Sequence, residues 1–373
     1  MRPLEGIFVL DFSTLLPGPM AGLLLAEAGA EVVKVERPGT GEEMRNYDPK
    51  WGRESVNFAM LNRGKKSVAL DLKAPADLQR ALELVKKADI VLEQFRPGVM
   101  DRLGLGYDAL RQINPNLIYC SITGYGRSGP NSLRAGHDLN YIGEAGLLGL
   151  SMGGPVNYTL PPALIADIAG GAYPAVMNIL LALEERRRTG AGRFLEISMA
   201  DNLFTFMYWA MGNALGANQW PTNGRDLVTG GTPRYHLYPT QDGKVLAAAP
   251  LEQKFWEVFC DAIGLDAALR EDSVDPKATE TAVAAIIASQ PARWWSERFK
   301  KVDCCCTIVA DLHEALADPH FKARGLFDYR LVNEAGQSLP ALPVPVAAAF
   351  RGPIDEGLAA PALGAHNGEY FDR

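Results

Sequence analysis

Apolar positions in the first half of the chain fall in short, mostly apolar blocks, and these blocks alternate with stretches of helical period. Residues 6–12 (GIFVLDF) read as a buried strand, followed by a Pro-Gly-Pro turn over 16–19. An Ala/Leu-rich helix over 20–28 ends at Gly29, a natural C-cap. Residues 31–35, 67–70, 90–92 and 117–122 read as further strands, with a helix over 76–88 between two of them. Strand–helix repetition of this kind predicts an α/β fold, a parallel sheet with helices on both faces.

The second half reads differently. A long Ala/Leu-rich helix begins near Asp167 and closes on Glu184-Glu-Arg-Arg-Arg188, followed by a strand over 193–197 and a Met- and aromatic-rich helix over 200–215. Residues 218–233 form a polar connection. From 235 to about 327, short strands and helices over 252–263, 279–288 and 292–300 predict a smaller α+β unit. The Pro-rich stretch 339–353 reads as an extended strap. The expected division is a large α/β domain over 1–200, a helix and linker over 201–233, a small α+β domain over 234–328, and a strap over 329–373 returning to the large domain. No internal repeat is evident.

Composition narrows the partners. At 373 residues, two domains are expected. A hydrophobic fraction of 47% and a charged fraction of 22% suit a soluble globular protein. The net charge of −7 argues against nucleic acid as the main partner. The apolar stretches are broken well short of the ~20 residues of a membrane span, and no secretory core is seen, so a cytoplasmic location is expected. Cys120, Cys260 and the run Cys304-Cys305-Cys306 make no Cys-x-x-Cys pair and have no histidine at zinc spacing, so no metal is expected. The run reads as three small buried apolar residues.

The candidate chemistry lies in Gly124-Tyr-Gly-Arg-Ser-Gly-Pro-Asn-Ser-Leu-Arg-Ala-Gly-His137-Asp138, a loop leaving a β-branched run. Thirty residues on, Asp167 sits among Ile165, Ala166, Ile168 and Ala169. An imidazole and a carboxylate delivered by neighbouring segments can move a proton at neutral pH, provided the apolar surroundings raise the aspartate from its usual ~3.9. The plainer readings are a hydrogen-bonded loop histidine and a helix N-cap aspartate.

The first strand–turn–helix lacks Gly-x-Gly-x-x-Gly, which counts against a nucleotide-dependent oxidoreductase. Basic residues gather at strand ends instead. Arg37, Lys73 and Arg96 follow predicted strands, while Arg63, Lys65 and Lys66 precede one. Ligands of open α/β sheets bind beyond strand carboxyl ends, so a ligand with several phosphates and an adenosine is expected there.

These residues together resemble the family III CoA transferases of the CaiB/BaiF type, the group that includes the α-methylacyl-CoA racemases. The resemblance runs nearly end to end, through 3–11, 25–38 (LAEAGAEVVKVERP), 61–65 with 70–73, 93–98 (EQFRPG), 124–130 (GYGRSGP), Asp167 and Asp201. It implies a CoA thioester as substrate, no prosthetic group, and a homodimer of ring-shaped subunits threaded through each other. It carries CoA binding to Arg37, Arg63, Lys73 and Arg96. It makes Asp167 either the nucleophile of a transferase or an acid/base group of a racemase. His137 before Asp138 is similar to the racemase pattern, where transferases usually place a non-ionisable residue. The same pattern gives the backbone N–H of Asp138 to the enolate oxygen, and Glu252 to the catalytic histidine of the other subunit. The expectation is epimerisation of a 2-methylacyl-CoA, with CoA transfer through Asp167 as the alternative.

Overall fold

The computed structural model describes residues 2–151, 158–354 and 357–372. Its central sheet has six strands: β1 (Phe8–Asp11), β2 (Glu31–Glu36), β3 (Lys66–Ala69), β4 (Ile90–Glu93), β5 (Ile118–Thr123) and β6 (Phe194–Ser198). They lie in the order β3-β2-β1-β4-β5-β6, and every neighbouring pair is parallel. This is the doubly wound α/β order. Its strand order reverses between β1 and β4, opening a crevice beyond their carboxyl ends.

The mostly apolar blocks are explained by burial on both faces. On one face Leu10, Val33, Val68, Val91 and Tyr119 pack with Ala81, Leu84 and Val85 of helix α2 (Pro75–Val85). Helix α1 (Pro17–Glu27) is buried along its whole length. It starts at Pro17, three residues before the expected start, because a proline at the first helical position has no N–H to leave unpaired. Gly29 follows its end with φ 108°, a conformation open to glycine.

The chain divides into two compact units, each described by itself. The first comprises 1–145, 163–206 and 320–373, and the second 146–162 and 207–319. The segment 146–162 and the helix over 208–217 therefore belong with the smaller unit, where 1–200 and a 201–233 linker had been expected. The second unit carries a three-stranded antiparallel sheet of β7 (His236–Pro239), β8 (Val245–Ala248) and β9 (Cys306–Ile308). Its core is built on Trp256, Phe259, Val283, Ile287 and Trp295. In the first unit the tail forms its own small sheet from Arg330–Val332, Ser338–Pro340 and Leu358–Ala359, and a 3-10 turn at Ala348–Phe350 interrupts the otherwise extended strap.

Two further expectations are corrected. The helical run Ala166–Thr189 is long and apolar enough, by length and composition, to cross a membrane, because its glycines do not interrupt it. Part of it packs on β5, β6 and α1. The cysteine run is not uniformly buried: Cys304 is buried, but Cys305 is exposed at φ 52°. The left-handed turn at Cys305 swings its side chain outward between buried Cys304 and half-buried Cys306. All five thiols are free.

Candidate active site

The crevice at the β1/β4 reversal is a cleft of about 480 Å³. Its walls come from the turn after β1 (Thr14, Leu15, Pro17), the segment after β4 (Gln94–Pro97), the end of β5 with its loop, and Met199 after β6. His137 and Asp167 both line it, and so does Arg96.

The turn after β1 rests on buried charge. Lys65 Nζ donates to Asp11, Asn62 Oδ1 and the Pro19 carbonyl, each at 2.9 Å, and Lys34 Nζ donates to the Ser13 carbonyl at 2.7 Å. Asp11 in turn accepts from the Ser13 N–H at 2.9 Å. Gln94 Oε1 accepts from the Gly18 N–H at 2.9 Å, fixing the start of α1 against the segment after β4. Held from both sides, Leu15 adopts φ 62°, which costs energy in a branched residue and persists only where the surroundings impose it.

His137 stands just before helix α3 (Asp138–Glu144), exposed to the cleft. The helix grips the loop that precedes it. Asn140 Oδ1 accepts from the His137 N–H at 3.0 Å, and Tyr141 Oη donates to the Gly136 carbonyl at 2.6 Å. Arg134 pairs with Glu144 at 2.8 Å. These contacts come from positions 140, 141 and 144, one face of the helix. Glycine is required at 124 and 136, because a Cβ there would stand 2.5 and 2.7 Å from the Tyr141 ring.

Asp167 lies in a π-helical turn, Ala166–Ala172, which runs into α4 (Tyr173–Thr189). Such turns are rare and frequent at functional sites. Gly170 and Gly171 allow this turn to sit on the β6 end, where a Cβ at 170 would meet the Met199 carbonyl at 2.6 Å. Asn202 Nδ2 donates to the Gly170 carbonyl at 2.7 Å, satisfying a group the irregular turn frees.

The two aspartates are joined through the backbone of one and the side chain of the other. Asp138 is 3% exposed, and its Oδ1 accepts from the Asp167 N–H at 3.0 Å. Burial, then the Asp138 charge, pushes the Asp167 carboxyl up to about 7. An aspartate so placed gains and loses a proton near neutrality.

A second hollow of about 340 Å³ adjoins the cleft, sharing Thr14 and Phe95 with it. Arg37 and Lys73 line it, both exposed. Arg96, Arg37 and Lys73 thus border two connected hollows at strand carboxyl ends. Arg63 does not. It is 1% exposed and donates to Glu27 and to the carbonyls of Met60 and Leu342, each at 2.8 Å. It precedes β3, so the parallel sheet puts it at the opposite edge. Glu252 is exposed at the N-cap of a helix in the second unit, Gln253–Ile263.

Gln94, Leu15 and the side chain of Asp138 contribute to the cleft without an announcing sequence signal. Gln94 stands inside the 93–98 segment. Nothing in a leucine announces a left-handed turn.

Comparison with known proteins identifies the family. The model of the family described as CoA-transferase family III matches residues 4–367. Alpha-methylacyl-CoA racemase of Homo sapiens is 35% identical over 331 residues, covering 87% of this chain and 82% of that protein. Acetyl-CoA:oxalate CoA-transferase of Acetobacter aceti is 31% identical over 366 residues, covering 92% and 89%. The crystal structure of Rv3272 from Mycobacterium tuberculosis superposes with a TM-score of 0.84 at 29% identity, covering 100% of this chain and 99% of that one. With the family model spanning nearly the whole chain and the doubly wound sheet shared with a solved member, this protein belongs to CoA-transferase family III.

Proposed function

We propose that the protein epimerises the α-carbon of a 2-methylacyl-CoA by two-base proton transfer. The observation that carries this reading is the placement of His137 and Asp167 in one cleft, on separate elements, with Asp167 pushed up to about 7. A thioester acidifies its α-C–H, and inversion requires a base on one face with an acid on the other. Neutral His137 takes the α-proton while protonated Asp167 delivers its own to the opposite face. The reverse direction starts from imidazolium and carboxylate, which hold the same number of protons. The Asp138 N–H, first in α3 and so without an intrahelical acceptor, receives the enolate oxygen. The hollows bordered by Arg96, Arg37 and Lys73 take the CoA phosphates and adenosine.

CoA transfer through Asp167 is the second reading, favoured by the acetyl-CoA:oxalate CoA-transferase relative. A carboxylate nucleophile must be ionised to attack, so an elevated Asp167 works against it at neutral pH.

We further propose a homodimer in which Glu252 of each subunit reaches the other subunit's His137. Apolar side chains left exposed in the single chain support association. Tyr173, Met177, Leu180 and Leu181 recur at helical spacing on one face of α4, and Phe204 and Phe206 lie nearby in sequence.

Incubating a 2-methylacyl-CoA in D₂O without an acceptor acid tests the activity. Loss of the α-proton NMR signal with loss of optical activity is expected. An inert α-proton, together with CoA transfer when a carboxylic acid is added, would select the second reading.

A further inference from the structure

Arg63 lines a separate cavity of about 460 Å³ in the first unit. Glu5 precedes β1, Glu27 ends α1 ahead of β2 and Arg63 precedes β3, so the cavity lies at the amino edge of the sheet, opposite the cleft. Two guanidiniums there share one carboxylate. Glu27 Oε1 accepts from Arg63 Nε, and its Oε2 accepts from Arg351 Nε, both at 2.8 Å. The side chains of Arg63, Arg351 and Glu27 are only 1%, 7% and 4% exposed.

Arg351 lies flat on the Tyr329 ring at 3.3 Å, and its Nη2 has no hydrogen-bond partner among the described residues. At the rim, Arg2 and Glu5 offset each other in charge. Two buried cations on one anion leave one positive charge in excess among the described residues lining the cavity. Burial holds Arg63 below its usual value despite Glu27, and the Arg351 charge adds to this. A buried charge without a counterion is costly, and guanidinium forks fit oxyanions.

We propose that this cavity is a binding site for a small oxyanion, a carboxylate or a phosphate, distinct from the CoA cleft. The anion neutralises the Arg63–Arg351 pair and joins the tail to α1.

Titration calorimetry on the full chain, saturated with CoA to fill the cleft, tests this with inorganic phosphate in one arm and malonate in the other. Saturable binding in at least one arm is expected, and the tighter arm identifies the class. Arg351→Met should weaken it on the order of tenfold. Glu27→Gln, which removes the competing carboxylate, should tighten it several-fold, a gain that a merely structural ion pair does not produce. The proposal is overturned if neither anion binds to the CoA-saturated protein. It is equally overturned if binding is indifferent to Glu27→Gln.

Discussion

Burial, then the Asp138 charge, pushes the Asp167 carboxyl from the ordinary 3.8 up to about 7, and that has consequences for stability as well as chemistry. Between about 3.8 and about 7 the folded state binds more protons at this site than the unfolded chain does. Its contribution is therefore fully present below 3.8 and lost as pH rises through 7. Asp167→Asn should flatten this dependence and leave the protein more stable above pH 7, by about 2 kcal/mol after screening at this partly exposed site. Denaturant titrations at pH 5 and pH 8 measure the difference. Asp138→Asn removes the neighbouring charge, so the limb of the pH–rate profile that reports Asp167 should move to lower pH. His137→Ala should slow α-proton exchange by about 10²–10⁴-fold while leaving the melting temperature nearly unchanged, since the imidazole is exposed. A melting temperature that fell with activity would make His137 a structural residue. The sequence made His137 and Asp167 legible because each stands out against glycine or apolar neighbours. It did not reveal how Asp138 acts on Asp167, since that rests on a hydrogen bond across 29 positions.

The elements that carry these residues were legible to different degrees. Strands β1 to β6 could be read because a sheet covered on both faces favours short, mostly apolar runs; β2 departs from this at Lys34, whose buried ammonium pairs with Glu42. Basic residues at strand ends were visible too, but which edge each occupies depends on direction along the strand. Arg37, Lys73 and Arg96 follow their strands and border the cleft hollows; Arg63 precedes its own and is at the far edge. The π-helical turn left no periodic trace, because one extra residue shifts the phase of an apolar helix without adding a polar one. Its glycine pair was the available signal. Gly170→Ala should test that reading directly. The new Cβ would meet the Met199 carbonyl at 2.6 Å, and backbone cannot yield as a side chain would. A loss of about 1–3 kcal/mol of stability is expected, with proton exchange falling by more than the folded fraction alone explains. Equal stability and activity in the variant would mean that the turn tolerates displacement, and that Asp167 is not held by it.

At the scale of the whole molecule, the order of the sheet and the position of the crevice follow from the chain itself, whereas subunit threading does not. Hydrophobic periodicity reports that a face is covered without reporting by what. Tyr173, Met177, Leu180 and Leu181 occupy positions that would serve equally well in a core, and only the folded chain shows them uncovered. Glu252 poses the same question in a sharper form, because its proposed role depends on a second copy. Complementation separates the arrangements. His137→Ala and Glu252→Ala should each be nearly inactive alone. If each site takes its histidine from one subunit and its glutamate from the other, half the dimers in an equal mixture are mixed, and each has one intact site beside one doubly defective site. Co-refolding the two variants should then restore about a quarter of wild-type proton exchange, as closed twofold symmetry requires. If histidine and glutamate came from the same subunit, no mixed dimer would contain an intact site and the mixture would stay inactive. Recovery that tracks the dimer fraction on dilution would tie the chemistry to assembly, and full activity of either variant alone would remove that residue from the mechanism.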